Sequence, residues 1–110
     1  MARGSAGVLK DLEKRQRSRA TRTQRDSLDR ALVDLAAFYR DVLLVQSGSP
    51  VPPAHPDFAD DVQLVASRIS SAGALRRIDA VQACRDALEL NVKPRIAVEA
   101  MAATLRLPSA

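Results

Sequence analysis

Few side chains in this sequence could do chemistry, and each stands without the helpers that chemistry needs. His55 is the only histidine, set between Ala54 and Pro56. A zinc site needs three or four ligands at short, defined spacings, and no acid or cysteine stands in such a spacing here. His55 therefore reads as a loop or capping residue. Cys84, the only cysteine, falls on an apolar stripe and reads as a small buried hydrophobe. Asp60-Asp61 sits in the first turns of a helix, where the helix dipole and solvent account for paired acids; a metal would ask for more oxygens. Arg76-Arg77 reads as a solvated face or a partner contact. ATP chemistry needs a glycine-rich phosphate cradle ending in Lys-Ser or Lys-Thr, and Gly4, Gly7, Gly48 and Gly73 surround no lysine. No catalytic residue, cofactor or metal is expected.

Charge is the remaining chemistry, and it is uneven. The net charge is +4, but residues 1–30 carry nine cations against four acids, and residues 31–110 carry eight against nine. A basic arm before a near-neutral body has two readings. It is a solvated connector helix laced by i,i+4 ion pairs such as Asp11–Arg15 and Glu13–Arg17, or a nucleic-acid contact. Lys10, Lys14, Arg15, Arg19 and Arg22 are the candidate phosphate contacts. They are expected to run around the helix rather than along one face, which would make any DNA binding weak and indifferent to sequence. Aromatic residues make up 3% of the chain, too few for base stacking.

The elements that would position these residues all read as helices. A long first helix runs from about Ala6 to Gln46, with a break possible near Thr21–Thr23, where Thr23-x-x-Asp26 resembles a capping box. Leu28, Leu32, Leu35, Tyr39, Val42 and Val45 form its apolar stripe. Val42-Leu-Leu-Val45 wraps most of a turn and predicts two buried faces. Gly48 and the prolines up to Pro56 make a loop. A second helix begins at Pro56 with Phe58, Val62, Val65 and Ile69 inward. A third is capped by Ser70 or Ser71, has Leu75, Ile78, Val81, Cys84 and Leu88 inward, and is closed by Asn91 in a left-handed turn.

The last helix, Pro94 to Leu107, is polar only at Arg95, Glu99, Thr104 and Arg106. A helix so apolar is sunk in a core or shared with another subunit. No apolar run reaches the roughly 20 residues of a membrane span. Ala2 rather than glycine follows Met1, no signal peptide is evident, and a lone cysteine fits a reducing cytoplasm.

Leu9-Lys-Asp-Leu-Glu-Lys-Arg-Gln16, the stretch Thr21 to Leu43 with its Phe-Tyr-Arg-Asp, and Asn91-Val-Lys-Pro-Arg-Ile-Ala-Val-Glu-Ala-Met101 resemble the C-terminal domain of the bacterial DNA polymerase III delta-prime subunit. That subunit belongs to the clamp loader, the AAA+ machine that places the sliding clamp on primed DNA in replication. The resemblance runs from about Val8 to Leu107. It implies an all-α bundle of four to five helices with a long N-terminal helix, in which residues 1–22 are a basic connector and 23–110 a collar domain. The implied role is non-catalytic: to hold a five-subunit ring together by packing on the gamma/tau and delta subunits. Clamp and DNA would be met only indirectly, through AAA+ modules that have no counterpart in these residues, and no membrane is involved. Met1-Ala-Arg-Gly-Ser reads as the edge of a piece cut from a longer protein. Phe38, Leu43, Val45, Arg95, Val98 and Ala102 are the expected interface residues. The family often has asparagine before the proline of the last helix. Lys93 stands there instead and cannot cap it. The alternative function is a basic helical nucleic-acid-binding module using residues 10–30.

Overall fold

The protein is described by a computed structural model covering residues 2–108, with side chains from residue 5 onward. The described residues form four α-helices and one 3₁₀ turn, with no strand. α1 spans Ala2–Gln46, the 3₁₀ turn Pro56–Phe58, α2 Ala59–Arg68, α3 Ser71–Glu89 and α4 Pro94–Leu105. The chain divides into two compact units, Met1–Arg30 and Ala31–Ala110.

α1 runs unbroken through Thr21–Thr23, where a break is conceivable from the sequence. Thr21 does not turn outward to cap; its hydroxyl donates to the Arg17 carbonyl one turn back at 2.9 Å, which keeps the residue inside the helix. Gly48 ends the helix at φ 65°, its N–H bonded to Val45 O and that of Ser49 to Leu44 O. The second helix begins later than Pro56 alone suggests. Pro56 opens the 3₁₀ turn, and α-helical bonding starts only at Ala59. Ser70 is the N-cap of α3, its hydroxyl accepting from Gly73 N at 2.9 Å. Asn91 closes α3 at φ 63°. Lys93 precedes α4 in extended backbone and makes no side-chain cap, as its chemistry dictates. α4 stops at Leu105, short of Leu107.

The core of residues 31–110 gathers Tyr39 and Val42 from α1, Val62 from α2, Ile69 and Ala74 around the turn into α3, and half-buried Leu35, Phe38, Leu43, Val65, Ile78 and Leu105. α3 packs along α4, burying Val81, Cys84 and Leu88 on one helix and Ala97 and Met101 on the other. Burial of about 1.5–3 kcal/mol per large apolar side chain drives this assembly. The Val42–Val45 turn grades from buried Val42 through half-buried Leu43 and Leu44 to exposed Val45, so one face and its flanks are covered.

Ile78, Val81, Cys84 and Leu88 turn inward as their spacing predicts, and only the start of α3 departs from that pattern. Leu75 is 52% exposed, and Ala74 and Arg77 take the inward positions. Arg77 is 6% exposed and bonds only to carbonyl oxygens: Nη1 to Gly73 O at 3.0 Å, Nη2 to Arg106 O at 2.6 Å and Nε to Leu105 O at 3.4 Å. A helix leaves its last carbonyls without partners, and a cation there also suits the negative end of the dipole. Arg77 thus closes α4, and the reading of Arg76-Arg77 as a solvated pair holds for Arg76 alone.

Candidate functional site

Among the described residues of the second unit, the buried polar side chains Asp41, Gln46 and Arg77 hold the fold. Asp41 is 1% exposed, and its carboxylate accepts from Ala54 N at 2.8 Å and His55 N at 3.1 Å. The loop's prolines have no N–H to offer, and Val51 N–H goes to the Ser49 hydroxyl; Asp41 serves the adjacent Ala54 and His55 and pins the loop to α1. His55 lies at the start of the 3₁₀ turn with no side-chain cap. Its Nε2 stands 3.8 Å from Asp34 Oδ1, and its ring meets the Phe58 edge. Gln46 donates to Ile69 O at 2.8 Å and Ala66 O at 3.3 Å, closing α2. Cys84 is buried, and burial pushes its thiol above the usual range. Asp60 and Asp61 are exposed, and no group of three or more His, Cys, Asp or Glu able to hold a metal occurs among the described residues.

Two surfaces of this unit remain apolar and open. The first is a shallow groove floored by Leu35, Phe38 and Phe58 and edged by Asp34, His55 and Asp61. The second is the outer face of α4. Ala97 and Met101 face inward, and Arg95 pairs with Glu99 at 3.0 Å on a charged stripe. Between them, Ile96, Ala100 and Ala103 fall within about 60° of one another at 100° per residue. All three are exposed, Ile96 by 57%.

The expected interface residues divide on this geometry. Ala102 and Val45 are exposed; Arg95 is exposed but engaged with Glu99. Phe38 is half-buried at the groove floor, and Leu43 packs on the core. Val98 is half-buried beside Ala97. Ile96, Ala100 and Ala103 are additions. The signal for them is that the apolar arc of α4 is wider than the face one neighbour can cover.

Unit Met1–Arg30 is a single helical arm whose described side chains are nearly all exposed. Lys10, Lys14, Arg17, Arg22 and Arg25 line one cleft along the helix with Glu13, Ser18 and Thr21, and Lys14, Arg15, Arg19 and Arg22 line the next with Asp11 and Ser18. At 100° per residue the cations of the two clefts fill an arc of about 200°, and Leu9, Leu12, Gln16, Ala20 and Thr23 occupy the other side.

No helix among the described residues is long and apolar enough to cross a membrane. Comparison with known protein families, with characterised proteins and with solved structures finds no match to this chain.

Proposed function

We propose that this chain is a non-catalytic assembly module of the clamp-loader collar type, close to that of the delta-prime subunit, which joins gamma/tau and delta subunits into the ring that loads the sliding clamp. One observation carries the reading. The closing helix buries Ala97 and Met101 in its own core and leaves Ile96, Ala100 and Ala103 as a second, exposed apolar face. Small residues beside one larger aliphatic let another helix approach closely, and an exposed apolar patch edged by an ion pair suits a protein partner. The buried polar groups agree with a scaffold role: Asp41, Arg77 and Gln46 spend their hydrogen bonds on backbone groups of this same chain.

Gel filtration of the chain with purified gamma/tau and delta subunits tests the proposal. Co-elution is expected, and Ile96→Asp or Ala103→Asp abolishes it while the helical spectrum persists. Leu43→Asp is a poor probe, because Leu43 packs on the core and its loss would unfold the module. Co-elution that survives both α4 substitutions would move the interface elsewhere, and failure of the parent chain to co-elute would refute the reading.

A further inference from the structure

We propose that the arm of residues 8–25 is a sequence-indifferent binder of duplex DNA that lies in the major groove and touches phosphates on both walls. This site is separate from the α4 face, and the inference stands whether or not the module assembles.

The argument starts from the two rows of cations. Lys10, Lys14, Arg17 and Arg25 form one row and Arg15, Arg19 and Arg22 the other, in adjoining clefts of one helix that share Lys14 and Arg22 and also hold Glu13 and Asp11. Their centres are about 125° apart around the axis at 100° per residue. A flat charged face would suit a single strand of phosphates. Two rows on opposite flanks suit a helix with phosphates on either side. An α-helix is about 10–12 Å across with its side chains, and the major groove of B-DNA is about 12 Å wide. Lysine and arginine reach outward from both flanks while the helix floor faces the bases.

That floor explains the lack of sequence preference. Between the rows lie Asp11 and Ser18, which offer neither the bidentate arginine nor the amide that reads a guanine or an adenine, and Arg22 and Arg25 border them at the inner edges of the rows. The opposite side, with Leu9, Leu12, Gln16, Ala20 and Thr23, carries no cation and has only Glu13 at its edge. Charge balance also favours contact. From Lys10 to Arg25 there are seven cations and two acids, Asp11 and Glu13. Duplex is preferred over single strand because residues 5–30 contain no aromatic ring on which an unpaired base could stack. DNA is preferred over duplex RNA because the RNA major groove is too deep and narrow to admit these side chains.

Fluorescence anisotropy of the whole chain against a labelled DNA duplex of about two turns, from about 50 to about 200 mM salt, tests this. Six phosphate contacts predict a slope of log affinity on log salt near −5. The same-length single strand and RNA duplex bind more weakly. Replacing Lys14, Arg15, Arg17 and Arg19 together by glutamine, which has similar helix propensity, reduces affinity at about 50 mM salt by more than about 100-fold and flattens the slope to about −2. Gln16→Ala with Thr23→Ala, on the side without cations, leaves both unchanged. The proposal is overturned if the parent chain fails to bind at about 50 mM salt or shows a slope shallower than about −2. Equal affinity for the RNA duplex, or a quadruple variant that binds like the parent, also overturns it.

Discussion

Asp41 carries more of the fold than its place in the sequence suggests. It interrupts the apolar run of α1, yet it is more buried than most of its apolar neighbours, because its carboxylate takes the adjacent N–H groups of Ala54 and His55 in the proline loop. Asp41→Ala strands both donors and is expected to lower stability by about 2–4 kcal/mol, with Asp41→Asn intermediate because one acceptor survives. Urea denaturation reads this directly, and a loss near zero for the alanine variant would mean that water replaces the carboxylate. Tyr39 reports on the same core through pH. Burial lifts its phenol above the ordinary 10.0, and the Arg77 charge pulls part of the way back. The folded state holds that proton more tightly than the unfolded one. Its contribution is therefore complete below pH 10.0 and is lost as pH rises through the folded value. Against a Cys84→Ala background, which removes the other raised group, Tyr39→Phe should melt at a temperature that falls less steeply above pH 10.0 than that of the Tyr39 chain. Parallel melting curves would assign the alkaline loss to other groups.

The helix boundaries were written in residues that act locally. Gly48, Ser70, Asn91 and Pro94 do at their positions what their backbone chemistry requires, so the element order and the all-helical class could be read directly. What could not be read depends on residues far apart in the chain. Arg77 faces inward because carbonyls 28 and 29 residues later need a donor, and this displaces Leu75 to the surface. Gly73 belongs to the same device, since a Cβ there would stand 3.1 Å from Arg77 Nη1. The start of α4 offers a clean test of local capping. Lys93 has the backbone of an N-cap at φ −57°, ψ 131° and lacks the side chain for it. Lys93→Asn should raise stability by about 1 kcal/mol in thermal melts, and no gain would show that water already satisfies those amides. For the arm, amides of residues 5–30 should exchange with solvent much faster than those of 74–88, because few of their helical bonds are covered by apolar contacts. Equal protection in the two stretches would contradict the exposed arm.

On the scale of the whole molecule, the same chain that spends its buried Asp41 and Arg77 on its own backbone keeps one helix face apolar in water. The apolar excess of the last helix was visible in the sequence, but the face it leaves free was not. Only packing against α3 decides that Ala97 and Met101 turn inward and Ile96, Ala100 and Ala103 turn out. The central claim is that the outer face of α4 is an assembly surface for clamp-loader subunits. Sedimentation velocity of the chain with purified gamma/tau and delta subunits measures it most directly. A heavier species is expected whose dissociation constant rises at least about tenfold, worth about 1.4 kcal/mol, on Ile96→Asp and hardly changes on Glu99→Gln. No heavier species up to about 100 μM, or one indifferent to Ile96→Asp in a folded variant, would contradict it.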